Sequence, residues 1–139
     1  MAQAAYTFDD ADAYDRYMGQ WSKAAGRVFL DWVQAPAGAD WLDVGCGTGI
    51  FTSLVLECSS PRNVVAVDPS TSQIEQACRS WAAERVRFEV ADARALPYAD
   101  ASFDVIASSL ALNFIPDRKK ALSEFCRVAR RGGIVAGFV

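Results

Sequence analysis

The stretch Trp41-Leu42-Asp43-Val44-Gly45-Cys46-Gly47-Thr48-Gly49 is a short apolar strand that ends on an acid and opens into a turn with glycine at every second position. Alternate glycines at a strand end serve a backbone that must turn sharply and let another group come close. A tight turn with no ligand explains one such glycine. Three in succession after an apolar strand point to a small, partly anionic ligand, met by backbone N–H groups and the N-terminus of the following helix.

Outward from this turn, strand and helix patterns alternate. Upstream, Tyr14, Tyr17, Met18 and Trp21 recur at three- and four-residue steps toward Val28, Phe29 and Trp32, which predicts a helix over 13–35 ended by Pro36 and Gly38. Residues 1–12 read as a flexible start. Downstream, Phe51, Leu54, Val55 and Cys58 mark the inner side of a helix, and Pro61 closes it. Val64–Val67 is a continuous apolar run, as expected for a parallel strand covered on both faces. Ser70-Thr71-Ser72-Gln73 has the form of a capping box and predicts a helix running toward Trp81. Arg87–Val90 alternates as a third strand nearer the sheet edge, and Phe103–Ala107 makes a fourth. Pro116 then marks a helix start, Gly132-Gly133 its end, and Ile134–Val139 a fifth strand. This alternation is the pattern of an α/β, doubly wound sheet with an N-terminal helix.

With 139 residues, 52% of them apolar, the chain reads as one domain with a single core. A net charge of −3 argues against a general nucleic-acid or anionic-membrane surface. The basic run at Arg118-Lys119-Lys120, with Arg127, Arg130 and Arg131, reads as a solvated helix face and its C-terminal turn. Cys46, Cys58, Cys78 and Cys126 are far apart and the chain has no histidine, so buried reduced thiols are expected and no metal site. Neither a signal peptide nor a bilayer-spanning run is legible, which makes the cytoplasm the expected compartment.

In doubly wound sheets, ligands lie across the carboxyl ends of the strands, and that rim gathers the glycine turn, Asp68 and Asp92. Asp68 ends the second strand 19 residues after Gly49, where a carboxylate can take both hydroxyls of an adenosine ribose. Asp92, two residues past the third strand, can accept from an adenine amino group while a neighbouring N–H meets a ring nitrogen. Asp43 can accept from the turn's amides or from a ligand ammonium. A nicotinamide dehydrogenase is the rival reading, but its glycine pattern needs a small residue where this chain has Ile50.

Together, Asp43-Val44-Gly45-Cys46-Gly47-Thr48-Gly49, Val65-Ala66-Val67-Asp68-Pro69-Ser70, Ala91-Asp92-Ala93 leading to Leu96-Pro97, Ser102-Phe103-Asp104-Val105-Ile106 and Arg127-Val128-Ala129-Arg130-Arg131-Gly132-Gly133 resemble the class I S-adenosylmethionine-dependent methyltransferases, in particular the type 11, quinone-biosynthesis-like group. The resemblance runs from about residue 14 to 139, with Arg131 where the family commonly has proline. It implies a Rossmann-like, mostly or wholly parallel sheet of five strands in order 3-2-1-4-5. It also implies S-adenosylmethionine as cofactor, S-adenosylhomocysteine as product and a small-molecule acceptor. By resemblance, Gly45 and Gly47 flank the methionine portion of the cofactor, Asp68 holds the ribose, Asp92 and Ala93 frame the adenine, Ser109 lies near the amino-acid end, and Asp43, Gly49 and Pro69 complete the cofactor-binding set. Tyr17 and Trp21 match an aromatic lid. No catalytic base is identified, and displacement at a sulfonium needs alignment more than a base. The family's further C-terminal strands are missing from the pattern, so Ile134–Val139 is expected to be an apolar edge that pairs in a homodimer or exchanged element. A cofactor-binding module without activity of its own, or a truncated enzyme, is the alternative function, and an interaction protein that binds no cofactor a third.

Overall fold

A computed structural model describes residues 11–81 and 84–139. The predicted flexible start lies almost wholly outside the described residues.

Five strands form one parallel sheet in order β3-β2-β1-β4-β5: β1 (Asp40–Val44), β2 (Asn63–Asp68), β3 (Val86–Val90), β4 (Phe103–Ser109) and β5 (Ala129–Phe138). The expected order and direction are both found. Apolar β1 is buried at every position because it lies mid-sheet with helices on both faces. On one face α1 (Ala11–Val33) and α2 (Ile50–Cys58) enclose Phe29, Leu30, Phe51, Leu54 and Val55 against Trp41, Val64 and Val105. α3 (Thr71–Ser80) adds Ile74 against Ala66 and Cys46 on the same side. On the other face α4 (Arg118–Val128) packs Ala121, Phe125 and Val128 over Leu42, Val65 and Ile106, joined by Ala93 and Leu96 from the long connection after β3.

Half of the capping box at α3 forms: Ser70 Oγ accepts from Gln73 N at 3.4 Å, whereas Ser70 N donates to Asp68 Oδ1 at 2.9 Å and not to the Gln73 side chain. Other local expectations shift. α1 turns inward a face that shares Phe29 with the expected stripe but is rotated from it: Gly26, Phe29 and Leu30 are buried, whereas Trp21, Val28 and Trp32 are 66%, 70% and 74% exposed. The reason is close approach, since a Cβ on Gly26 would stand 2.7 Å from Leu54 Cδ1. Pro116 precedes the helix start, and Asp117 caps α4 by accepting from Lys120 N. Gly132-Gly133 does not end α4, which stops at Val128; the glycines lie inside β5, at an irregularity where Ala129 pairs with Phe103 and Ile134 with Val105. A Cβ on Gly133 would meet the Asp104 carbonyl oxygen at 2.7 Å, so the glycine permits strand contact instead of terminating a helix.

The expectation for the thiols also fails in part. Cys46 is buried, whereas Cys58, Cys78 and Cys126 are exposed, because each of the three sits on the outward side of its helix. Nor do the late arginines form a merely solvated face. Arg127 donates to Tyr98 O at 2.7 Å, Leu96 O at 3.0 Å and Glu124 Oε1 at 2.8 Å, while Arg130 reaches Asp40 Oδ2 and Asp104 Oδ2, each at 3.0 Å.

Candidate active site

Because all five strands are parallel, their carboxyl ends share one rim, where a cleft of about 820 Å³ opens. The glycine turn after β1 forms its floor. Gly45 and Cys46 donate to Val67 O of the neighbouring strand at 2.8 and 3.0 Å, and Gly49 donates to Cys46 O at 2.9 Å. These bonds bend the chain off β1 and aim it into α2. Gly45 adopts φ 77°, and a Cβ there would stand 2.4 Å from Ala111 Cβ, so only glycine fits both the left-handed backbone and the loop above it.

Asp68, at the end of β2, lines the cleft beside this turn. Gly47 N donates to its Oδ2 at 3.0 Å and Ser70 N to its Oδ1 at 2.9 Å. Two backbone amides thus fix the plane of the carboxylate, and each oxygen retains lone-pair capacity for a ligand hydroxyl. Ribose hydroxyls fit such an acceptor pair.

Asp43 lies beneath the turn, 1% exposed. It does not take the amides of Gly45, Cys46, Gly47 or Gly49, which donate to Val67, Asp68 and Cys46. Instead Thr52 Oγ1, on α2, donates to Oδ2 at 2.6 Å, and Oδ1 has no partner among the described residues. Burial, with the nearby charge of Asp68, pushes the Asp43 carboxyl up to about 7 against the bond from Thr52. Burial likewise pushes the Cys46 thiol up, which removes it as a nucleophile.

Asp92 and Ala93 line the cleft past β3. Asp92 is already engaged: Arg94 Nη2 donates to its Oδ2 at 2.7 Å and Arg94 N to its Oδ1 at 2.9 Å, and this guanidinium and amide hold the carboxyl down to about 2. Pro69 and Ser109 also face the cleft, Ser109 as the last residue of β4. Gly49 does not line it. At φ 88°, with Trp81 Cδ1 2.7 Å and Phe88 Cε1 3.1 Å from where a Cβ would stand, it serves the packing of the turn. Trp21 is turned to solvent, and α1 contributes Gly19 and Ser22 in its place. The side chain of Tyr17 lies outside the described residues.

Three contributors escape a reading of the sequence. Trp81, at the end of α3, donates Nε1–H to Thr48 O at 2.9 Å and so clamps the glycine turn from 33 residues away. Thr52 anchors Asp43 across nine residues. Leu110, Ala111 and Asn113 to Pro116, after β4, form the far wall. Only the third had a signal, its position after a strand's carboxyl end.

Residues 42–137 match the family described as methyltransferase domain. The chain is 34% identical over 126 residues to the malonyl-[acyl-carrier protein] O-methyltransferase of Pectobacterium atrosepticum, covering 91% of this chain and 48% of that protein. It is 38% identical over 144 residues to the demethylmenaquinone methyltransferase of Renibacterium salmoninarum, covering 98% of this chain and 59% of that one. It superimposes on the crystal structure of an S-adenosylmethionine-dependent methyltransferase from Mesorhizobium loti with TM-score 0.71 and 27% identity, covering 86% of this chain and 52% of that one. The chain therefore spans about half the length of these proteins. A parallel sheet in order 3-2-1-4-5, a glycine turn after its central strand and a match over most of its length lead to one assignment: this chain belongs to the methyltransferase domain family.

Proposed function

We propose that the cleft binds S-adenosylmethionine and that the protein transfers its methyl group to a small-molecule acceptor. One observation carries this reading: the Asp68 carboxylate, fixed by the amides of Gly47 and Ser70, faces the cleft beside a turn whose glycines leave the backbone bare. When bound, the cofactor supplies a sulfonium-activated methyl group. The chain's own residues hold and orient. Asp68 with Pro69 takes the ribose hydroxyls, Gly45 and Gly47 admit the amino-acid portion against the backbone, Asp92 and Ala93 border the adenine, and Ser109 lies at the β4 side. Asp43 and Gly49 act from beneath, one tying β1 to α2 and the other seating the turn on Trp81. Holding two reactants in line is worth about 7–11 kcal/mol of barrier, so the absence of a histidine base is compatible with catalysis.

Calorimetric titration with S-adenosylmethionine and S-adenosylhomocysteine tests the reading. Binding lost in Asp68→Ala is expected, and no heat from the unaltered protein defeats it. A cofactor-binding module without turnover is the second reading; methyl transfer to any small nucleophile excludes it.

In the same reading, the chain is a single domain with α1 as a lid over the cleft, working in the cytoplasm. Among the described residues, no helix is long and apolar enough to cross a membrane. β5 is an edge strand with Val135 39% exposed, and its pairing with a second copy is the proposed assembly. A monomer in solution scattering, with freely exchanging β5 amides, overturns that assembly.

A further inference from the structure

The glycine turn is bare backbone, and bare backbone holds no shape by itself. Gly47 and Gly49 are both left-handed, at φ 54° and 88°, and glycine moves between backbone regions at little cost. The first half of the turn is tied to β2: Gly45 N and Cys46 N donate to Val67 O, and Gly47 N to Asp68 Oδ2. The second half is tied to α3 by one side chain. Trp81 Nε1–H donates to Thr48 O at 2.9 Å, while the N–H of the same peptide, that of Gly49, donates to Cys46 O at 2.9 Å. With both polar ends taken, the Thr48–Gly49 peptide plane is fixed in orientation.

Trp81 fixes position as well as orientation. Its Cδ1 and Nε1 stand 2.7 and 3.0 Å from where a Cβ on Gly49 would be, so the indole bears directly on the turn. The indole is itself held, because α3 buries Ile74 and Ala77 and Trp81 N donates to Ala77 O at 2.9 Å. Gly47 and Thr48 line the cleft and Trp81 does not, so the indole acts on a ligand only through the turn. The ribose acceptor stands apart from this bond. Asp68 takes Ser70 N as well as Gly47 N, and Ser70 caps the opposite end of α3, about 16 Å from Trp81 along the helix. One helix thus supports the cleft at two separate points, behind Asp68 and behind Thr48–Gly49.

Resting on the cofactor reading of the cleft, we propose that Trp81 is a positioning residue for the amino-acid portion of the cofactor. Its indole N–H holds the second half of the glycine turn in place, and the cleft's preference for a nucleoside that carries the amino-acid tail over one that lacks it depends on this bond. Binding of the nucleoside portion, which rests on Asp68, does not.

Calorimetry compares S-adenosylhomocysteine, which carries the amino-acid portion, with 5′-methylthioadenosine, which lacks it. Trp81→Phe keeps a ring against Gly49 and removes the N–H. It is expected to weaken S-adenosylhomocysteine about three- to tenfold, the loss of one hydrogen bond, and to leave 5′-methylthioadenosine within about twofold. A structural role alone lowers both affinities equally or neither. Arg130→Ala, on the opposite rim, is expected to change neither ligand and serves as the control for destabilisation. Coupling is reciprocal, so in the unaltered protein S-adenosylhomocysteine is expected to slow solvent exchange of the Trp81 indole proton about three- to tenfold more than 5′-methylthioadenosine does, a readout that needs no variant to fold. Unchanged S-adenosylhomocysteine affinity in Trp81→Phe, equal loss of both ligands, or equal slowing of the indole proton by both overturns the role of Trp81. Binding of neither ligand to the unaltered protein overturns the cofactor reading instead, so the two failures are distinct.

Discussion

The carboxyl of Asp43 is buried with one oxygen on Thr52 and the other unpartnered, so ionising it costs more inside the sheet than in the unfolded chain. The sign follows. Between the ordinary value of 3.8 and about 7, the folded state keeps a proton that the unfolded chain has released, so stability falls as pH rises through this window and levels off above it. At 1.36 kcal/mol per pK unit the whole effect is at most about 4 kcal/mol. No histidine titrates in the same range. Urea unfolding at pH 5 and 7.5 is therefore expected to show lower stability at the higher pH, and Asp43→Asn to shrink that difference by at least about 1 kcal/mol. A second pair of residues separates backbone strain from contact. Gly38 and Gly49 both have left-handed backbone, but a Cβ on Gly38 meets nothing within 4 Å and one on Gly49 meets Trp81 at 2.7 Å. Gly38→Ala is expected to cost about 1 kcal/mol, the left-handed penalty alone, and Gly49→Ala at least about 2 kcal/mol more, as read by thermal unfolding.

At the scale of elements, the connection from Ala91 to Ser102 carries the cleft-lining Asp92 and Ala93 yet has no regular structure beyond turns. Arg127 holds it in place: one guanidinium bonds the carbonyls of Leu96 and Tyr98, while Glu124 receives Leu96 N at 2.8 Å and pairs with Arg127. That pairing holds the Glu124 carboxyl below its usual range. Arg127→Ala is expected to lower the midpoint of denaturant unfolding, because two carbonyls and two carboxylates, those of Glu124 and Asp100, lose their donor together. This role is invisible in the basic run of the sequence, where the arginine fits a solvated helix equally well. Strands β1 to β4, by contrast, were legible to within two residues of their ends, because a buried parallel strand reads as a near-continuous apolar run, whereas β5 begins five residues before the expected Ile134. The end of α4 was not. Gly132-Gly133 carries the signature of a helix stop, and only pairing with β4 shows it serving strand contact.

Across the molecule, the two rims of the sheet divide their tasks. The carboxyl rim holds the cleft, and the opposite rim is closed by ion pairs: Asp40 accepts from Arg62 and Arg130, and Asp104 accepts from Asp40 N at 2.8 Å. Arg62, with Arg130, holds Asp40 well below the usual carboxylate range. Its contribution is present above the ordinary value of 3.8 and is lost as pH falls below it. Arg130→Ala is expected to lower the midpoint of denaturant unfolding while leaving S-adenosylhomocysteine affinity unchanged, since the network lies at the far end of the strands. Conversely, S-adenosylhomocysteine at a hundred times its Kd is expected to stabilise the protein by about 2.7 kcal/mol, seen as a rise in Tm that Asp68→Ala abolishes.

By itself, the sequence determined the parallel sheet, its strand order by resemblance, the glycine turn and the place of Asp68 beside it. All of these follow from local pattern: apolar runs, glycine spacing and fixed intervals along one chain. Tertiary structure decided which face of α1 turns inward, that Asp43 is tied to Thr52 and not to the turn, and that Trp81 and Arg127 hold the two loops of the cleft. Such facts depend on groups brought together from 9 to 33 residues apart, and burial and partner are set only when those groups meet.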